Sequence, residues 1–431
     1  MSNNIATPRS LAYELLQRAE KSKQYSNIAL DHALEASNMS NADKRLASVL
    51  FYGVTERKLT LDYRIAQLSS RKINELDEKT LCALRLGLYQ LMYLDRVPAH
   101  AAINETVSLC PKKSTGFVNA ILRAHTRTQM TAPSRDDLPY FLSVTYSVGR
   151  ELAEKLIGSY GEIGAEEILN GFYSARDTTL RVNTLKISKA ELSARLGGAE
   201  PTKSSPTGLY AKGSVRELYG FDDGFFFVQD EASQICVEVL DGRCGELVLD
   251  ICSCPGSKSF GTAIKMNNEG KILSFDLHEN KLSLVRSGAE RLGISIIETR
   301  AADGRHSIPE LIGAADRVLC DVPCSGFGVL AKKPELRYKD PAESEKLPSI
   351  QRDILDNACQ YVKRGGVLVY STCTILPEEN EKNILAFLDA HPEFELYPWR
   401  VGEIEAPKGF VTLFPHLHGT DGFFIAKLIR K

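Results

Sequence analysis

Arg317-Val318-Leu319-Cys320-Asp321-Val322-Pro323-Cys324-Ser325-Gly326 is an apolar run that delivers a cysteine just past its end. Val367-Leu368-Val369-Tyr370-Ser371-Thr372-Cys373-Thr374 repeats the arrangement later in the chain. Both runs read as buried strands. In open α/β sheets, ligands sit outside the carboxyl ends of the strands. Two thiols at that edge suggest one that attacks and one that assists release. That chemistry is needed to alkylate a ring carbon that is not nucleophilic by itself.

Around these runs, strands and helices alternate from residue 236 to the end. Strands are expected at Leu247–Ile251, Lys271–Phe275, Ile294–Thr299, Arg317–Asp321, Val367–Ser371 and Gly422–Ile429. Helices fall between them, as at Glu279–Leu292 and Ile350–Val362. The alternation predicts an α/β domain over 236–431 with a mostly parallel, doubly wound sheet. Residues 139–235 mix helices at Gly149–Ile157 and Glu162–Phe172 with strand-like pieces at Leu180–Thr184 and Phe225–Glu231, a small α+β domain. Thr126–Asp137 is polar and reads as a linker. Ahead of it, residues 1–128 carry apolar residues at helical spacing: Leu11, Leu15 and Leu16; Leu46, Val49, Leu50 and Val54; Leu81, Leu84, Leu88 and Leu91. The pattern continues through Ala101–Cys110 and Phe117–Arg123, so this part is expected to be an all-α bundle.

The 431 residues are 43% apolar and 25% charged, ordinary for a soluble globular protein. No uncharged apolar run approaches the ~20 residues of a membrane span, and Met1–Pro8 lacks the basic and apolar regions of a secretory signal. Ten cysteines at irregular spacing do not form a disulfide framework. A reducing cytoplasm fits them better, and a thiol nucleophile requires one. The formal charge of −2 hides an asymmetry: residues 1–130 hold 18 Lys/Arg against 12 Asp/Glu, a net +6, which leaves −8 for the rest. A basic front end suits a nucleic-acid partner, and it equally suits solvated helix faces.

The first strand of the α/β domain feeds Cys252-Ser253-Cys254-Pro255-Gly256-Ser257-Lys258-Ser259 and then a helix. Glycine at such a bend lets backbone approach a nucleotide-like ligand. The phosphate-cradling pattern G-x-x-x-x-G-K-[ST] fails, because Cys252 and Ser257 hold its glycine positions. The dinucleotide pattern is absent too. Asp276 ends the second strand about 20 residues past the glycine turn, placed to accept from ribose hydroxyls. Asp303 follows the third strand, where it could meet an adenine amino group. With Asp321 these acids point to an adenosine cofactor without a phosphate cradle, so S-adenosylmethionine fits better than NAD or ATP. Cys252 and Cys254 lack a well-spaced second cysteine pair, so they are expected to be packed thiols and not metal ligands.

The run Asp250–Lys258, the Asp321–Gly326 segment, and Ser371-Thr372-Cys373 followed by Pro377-Glu378-Glu379-Asn380-Glu381 resemble RNA cytosine-5 methyltransferases. So do Phe414–Phe424 and Leu180-Arg181-Val182-Asn183-Thr184. The helical front end resembles the RNA-binding NusB domain. Together, over nearly the whole chain, the order resembles the bacterial 16S ribosomal RNA methyltransferase B (Sun/Fmu) family. The fold implied is a NusB-like bundle over 1–128, a small α+β RNA-binding domain over 139–235, and a Rossmann-like methyltransferase domain over 236–431. One departure is visible: the family usually has Ala-Ala-Pro-Gly-Gly-Lys-Thr where this chain has Ser253–Ser259, so Ser257 replaces a glycine in the cofactor turn.

The resemblance implies that Cys373 is the nucleophile and Cys324 the releasing thiol. A thiolate adding to carbon 6 of cytosine makes carbon 5 able to take a sulfonium methyl, which is covalent catalysis. Asp321 is implied as an acid near ring nitrogen 3 and beside the cofactor. Lys258 is implied to polarise or orient the base. A free thiol titrates near 8.5, so Cys373 needs an electropositive neighbour. The residues implied to hold the cofactor are Cys252–Lys258, Asp276, Asp303 and Asp321. Arg181, Asn183 and Lys258 are the implied RNA contacts; Arg9, Lys112, Lys113, Lys332, Lys333, Arg337 and Lys339 are further candidates for phosphate. The expected partner is 16S ribosomal RNA or an assembling small subunit, met by a cytoplasmic monomer away from membranes. Rival readings are a non-catalytic RNA-assembly factor and a methyltransferase acting on DNA or protein. Transfer of labelled methyl to RNA, DNA and protein pools separates the three.

Overall fold

A computed structural model describes residues 7–22, 27–174 and 177–431. The chain divides into two compact units. One comprises Met1–Glu166 and Lys332–Asp340; the other comprises Glu167–Ala331 and Pro341–Lys431. Residues 139–166 therefore fall in the first unit and residues 167–235 in the second.

The first unit is helical. Its elements are α1 (Pro8–Ser22), α2 (Asn27–Glu35), α3 (Asn41–Glu56), α4 (Lys58–Leu68), α5 (Glu78–Tyr93), α6 (Ala99–Leu109), α7 (Thr115–His125), α8 (Leu138–Tyr146) and most of α9 (Arg150–Gly171), whose residues after Glu166 count with the second unit. Side-chain caps start three of them: Ser40 accepts from the Asp43 N–H, Asp77 from Thr80 and Asp137 from Tyr140. Each satisfies one of the amide donors that a helix start leaves over. Leu15, Leu16, Leu50, Val54, Leu84 and Leu88 form the core as their spacing predicts, whereas Val49 is exposed. Gly161, at φ +72°, interrupts α9 between the two helices expected there.

Four cationic candidates for phosphate behave differently here. Lys112 and Lys113 stand exposed. Arg9 is pinned by Gln90 at 2.6 Å and Glu105 at 2.7 Å. Arg337 is fully buried in this helical unit, where it bonds the Tyr146 carbonyl and Glu56. The expectation that Arg9 and Arg337 hold RNA is corrected, since their donors serve the fold.

The second unit opens with β1 (Thr178–Val182), α10 (Lys189–Arg195), β2 (Gly208–Ala211) and β3 (Phe226–Val228). The strands form an antiparallel sheet in the order β2-β1-β3. β3 is shorter than the run Phe225–Glu231 suggests, because Asp230 turns to cap the next helix. Arg181 and Asn183 are not on an open strand surface. Arg181 is 1% exposed, with Nη2 2.7 Å from Glu238 and its guanidinium packed on Gly261. The Asn183 carboxamide donates to the Gly224 and Leu292 carbonyls. Their expected RNA contacts are corrected: burial encloses both side chains, with Asn183 bonded internally and Arg181 bonded to Glu238, although its Nε and Nη1 have no hydrogen-bond partner among the described residues.

The main sheet follows, with α11 (Glu231–Leu240), β4 (Leu247–Asp250), α12 (Ser257–Lys265), β5 (Lys271–Asp276), α13 (Glu279–Leu292), β6 (Ile297–Ala301), β7 (Ala315–Asp321), α14 (Leu347–Ala358), β8 (Val362–Thr372) and α15 (Glu381–Ala390). The chain closes with β9 (Phe394–Leu396), β10 (Trp399–Val401), β11 (Ile404–Ala406), β12 (Phe410–Leu413) and β13 (Phe423–Arg430), of which β10 and β11 pair with each other as a separate two-stranded sheet. The strand order is β12-β13-β8-β7-β4-β5-β6, with β9 on β13. Pairing is parallel from β8 to β6 and antiparallel at β13 and β12. Neighbouring residues go to opposite cores, Val248 and Val369 to one, Leu249 and Leu368 to the other, as strand alternation requires. Hence the strands read as continuous apolar runs. β6 begins later than Ile294, because Gly293 at φ +74° closes α13 and the Ile294 N–H still bonds Ala289. The helix expected at Ile350–Val362 ends at Ala358, and Val362 opens β8.

Two buried charges set testable stability effects. Glu238 is shared by Arg181 and Lys265. Arg181→Met leaves the carboxylate with one partner and should cost about 3 kcal/mol in urea unfolding; an unchanged midpoint would contradict this. Asp250 is 2% exposed, and burial lifts its carboxyl to about 7, although the Ser259 hydroxyl donates to it at 2.6 Å. The unfolded chain titrates near 3.9. The folded value is the higher one, so this stabilisation is full below pH ~4 and lost as pH rises through 7. Asp250→Asn should therefore lose about 2–3 kcal/mol less than the parent between pH 5 and 8. Identical pH dependence in the two proteins would contradict the assignment.

Candidate active site

The sheet order reverses between β4 and β7: from β4 the sheet grows through β5 and β6, and from β7 it grows the other way to β8. At such a switch point the loops after adjacent strands splay apart and leave a crevice. Here a cleft of about 470 Å³ opens at the carboxyl ends of the strands. Cys252, Cys254, Asp276, Asp303, Asp321, Cys324 and Cys373 all line it, together with apolar Leu277, Ile350 and Ile354. Seven residues singled out from sequence thus share one wall-to-wall space. Ser253, Pro255, Gly256, Ser257 and Lys258 lie behind this lining.

Those five shape the turn that follows β4. Gly256 has φ +107°, and a Cβ there would meet the Phe260 ring at 2.5 Å, so the position requires glycine. Ser257 is already the first residue of α12. A serine is at ease in helical backbone, so the departure at 257 leaves the turn intact. The Ser253 N–H bonds the Phe275 carbonyl at 2.7 Å, and the Gln229 amide bonds the Ser257 carbonyl at 3.1 Å.

The acids at the strand ends are held in defined poses. Asp276 accepts from the His278 N–H at 2.9 Å. Asp303 is bridged by Arg305, whose hydrogen bonds hold its carboxyl down to about 2. Burial, with Asp276 beside it, pushes Cys254 up to about 12; burial also raises Cys252. Both are therefore protonated, inert thiols at neutral pH. Carboxylates, apolar side chains and a bend without a phosphate cradle fit S-adenosylmethionine, which combines an adenosine with a cationic sulfonium.

The two remaining cysteines face each other. Cys373 is the first residue past β8, and Cys324 lies in the loop after β7. These strands run parallel with Asp321 opposite Ser371, so the chain leaves both at the same level. The two Sγ atoms are 3.0 Å apart, and the Cys373 N–H points to the Cys324 sulfur at 3.2 Å. Ser325 Oγ donates to Thr374 Oγ1 at 2.8 Å. The Gly328 N–H bonds the Cys373 carbonyl at 2.9 Å, and the Gly422 N–H bonds the Gly328 carbonyl at 2.8 Å. A Cβ on Gly328 would sit 1.8 Å from the Gly422 oxygen, so that close backbone approach admits only glycine.

The buried Lys258 and the half-buried Asp321 form an ion pair beside the thiols, Nζ to Oδ2 at 2.6 Å. Ser371 Oγ donates to the other oxygen, Oδ1, at 2.7 Å. Both oxygens of Asp321 therefore accept, and the expected carboxyl that donates to a ring nitrogen is corrected. Burial works against the Lys258 charge, but Asp321, with Cys236 and Cys373, holds it above the ordinary lysine range. The influence is mutual: a cation this close favours Cys373 as thiolate. This supplies the electropositive neighbour that the sequence left unnamed. Cys324 is held well above the usual thiol range, first by its hydrogen bond to Cys373 and then by burial. Cys324 is therefore the retained thiol of the pair.

Sequence reasoning assigned no roles to the groups that brace these loops. Glu379 Oε2 accepts from the Ser325 N–H at 2.9 Å and from Gln351 Nε2 at 2.8 Å. Asn380 accepts from the Thr372 hydroxyl at 2.6 Å and donates to the Thr374 carbonyl at 3.0 Å. Tyr370 donates to the Glu379 carbonyl at 2.6 Å. Pro377–Glu381 was visible as a motif, but Gln351 carried no signal of its own on an amphipathic helix.

Known proteins resemble this chain over nearly its whole length. The family model for the 16S rRNA methyltransferase RsmB/F matches residues 237–429, and that for the NusB family matches residues 6–127. The probable ribosomal RNA small subunit methyltransferase B of Bacillus subtilis (strain 168) is 35% identical over 98% of each chain. The ribosomal RNA small subunit methyltransferase B of Yersinia pseudotuberculosis serotype O:1b is 33% identical over 91% of this chain and 92% of its own. The crystal structure of PH0851 superposes with a TM-score of 0.80 at 27% identity, covering 99% of each chain. A methyltransferase homologue from Pyrococcus horikoshii covers 68% of this chain and 99% of its own, with a TM-score of 0.60 and 28% identity. With matches to both family models and relatives at 33–35% identity over nearly the whole chain, the chain belongs to the ribosomal RNA small subunit methyltransferase B family and is an S-adenosylmethionine-dependent methyltransferase.

Proposed function

We propose that this enzyme methylates carbon 5 of a cytosine in 16S ribosomal RNA through a covalent bond between Cys373 and carbon 6. The observation that carries the reading is the pair of sulfurs 3.0 Å apart at the cofactor cleft, with the Lys258–Asp321 ion pair beside them. A single nucleophile would not need a second thiol within reach.

Cys373, favoured as thiolate by Lys258, adds to carbon 6. Electron density accumulates on the ring, and Lys258, held in place by Asp321, is positioned to offset it. S-adenosylmethionine supplies the methyl group as an electrophile. Carbon 5 takes the methyl, then Cys324 removes the carbon 5 proton and Cys373 leaves as a thiolate. Asp276 and Asp303 orient the adenosine from the strand ends. The target base must leave its stack to reach the two sulfurs, so an unpaired or extruded cytosine is required.

The exposed Lys112 and Lys113 on the NusB-like region support RNA phosphate binding there. We read 1–128 as that RNA-holding region, 139–235 as a small α+β platform, and 236–431 as the methyl-transferring region. We read the enzyme as a monomer. A reduced thiol pair and an assembling small subunit support a cytoplasmic setting. Among the described residues no helix is long and apolar enough to cross a membrane.

The thiols should separate under mutation. Cys373→Ser is expected to abolish both methyl transfer and covalent attachment to RNA. Cys324→Ala is expected to leave protein attached to methylated RNA through denaturing electrophoresis. A Cys324→Ala enzyme that turned over normally and trapped nothing would overturn the division of labour. Mapping 5-methylcytosine in 16S RNA with and without the gene product tests the substrate.

A further inference from the structure

The reaction just proposed, on which this inference rests, has a proton to discard. A methyl cation equivalent replaces hydrogen on carbon 5, so each turnover releases one H⁺. The thiol meant to collect it already carries a proton, because its hydrogen bond to Cys373 and its burial hold Cys324 in the thiol form. A thiol cannot act as a base. Cys324 must lose its own proton before it can take the one from carbon 5.

Glu379 offers that proton a place. Its side chain is 2% exposed. Oε2 is occupied by the Ser325 N–H and by Gln351, which ties the carboxyl to the residue next to Cys324. Oε1 is buried and, among the described residues, has no hydrogen-bond partner. The Glu379 charge is felt at the Cys324 thiol. A glutamine would accept the Ser325 bond equally well. A buried carboxylate with an unfilled oxygen is the costlier choice unless that oxygen is used.

We propose that Glu379 is the positioning residue through which Cys324 sheds its proton, making it the base that ends the reaction. When the Cys373 sulfur bonds carbon 6, the Cys324 S–H loses its acceptor. Freed from Cys373, the Cys324 thiol turns towards Glu379, with which it shares no hydrogen bond at rest, and its proton passes to Oε1, leaving a Cys324 thiolate and a neutral carboxyl. The thiolate then takes the carbon 5 proton. The C–H electron pair restores the ring double bond, the carbon 6–sulfur bond breaks, and its electrons depart with Cys373. Glu379 returns its proton to water. Nothing is oxidised or reduced, and the resting pair of one thiol and one thiolate is regenerated.

Glu379→Gln keeps the Ser325 acceptor and removes the proton site. In single turnover with RNA and methyl-labelled S-adenosylmethionine, methyl transfer should proceed near the parent rate. Release of free methylated RNA should fall about a hundredfold, with the methylated RNA held on the protein after denaturation. Release at the parent rate, or equal slowing of both phases as a bracing role would give, overturns the proposal. Infrared difference spectra of the unaltered enzyme need no variant to fold. A protonated-carboxyl band should rise with methyl transfer and decay with RNA release, and its absence overturns the proposal. If Cys324→Ala traps RNA while Glu379→Gln does not, the relay fails and the thiol roles stand. If neither traps, the thiol roles fail with it.

Discussion

Two sulfur atoms 3.0 Å apart are what the second unit is built to hold. Neither lies on a strand, so no ladder fixes them directly. Their separation follows from the parallel register of β7 and β8, which sets Asp321 level with Ser371. From there, backbone bonds from Gly328 to Cys373 and from Gly422 to Gly328 tie three chain segments at van der Waals contact. A side chain at Gly328 would force those segments apart and open the pair.

Buried polar groups stiffen this arrangement. Glu379, Gln351, Asn380 and Tyr370 link β8, α14 and the Cys324 loop through hydrogen bonds shielded from water. In a low-dielectric interior such networks specify one geometry strongly and punish partial satisfaction. The same interior lets the Lys258–Asp321 pair act on its neighbours at short range. One cation thereby serves to anchor an acid, to face the Phe423 ring at 5.1 Å, and to favour a thiolate at Cys373.

Much of this was legible in the chain itself. Strands buried on both faces betray themselves as unbroken apolar runs, and at the ligand edge β5 and β7 end in Asp276 and Asp321 while Cys373 follows β8. Helical spacing located the front-end core in the same way, Val49 excepted. What failed to show was direction. A strand pattern at Leu180–Thr184 offers Arg181 as a donor, but its partner Glu238 is 57 residues away, and only packing against α11 and α12 reveals the burial. Likewise Lys332–Asp340 follows the Cys324 loop in sequence yet belongs to the helical unit. Ser257 looked disruptive beside a glycine motif until the turn's left-handed residue proved to be Gly256. Glu379 sat in a visible motif, but its unfilled oxygen is a property of three-dimensional packing alone.

The central claim is that the Cys373 sulfur bonds carbon 6 of a cytosine. RNA carrying 5-fluorocytosine at the target tests it most directly, since fluorine cannot leave as a proton and the adduct must persist. After incubation with S-adenosylmethionine and proteolysis, mass spectrometry should find the methylated, fluorinated nucleotide on the peptide containing Cys373. An adduct on the Cys324 peptide, or no adduct at all, would contradict the account.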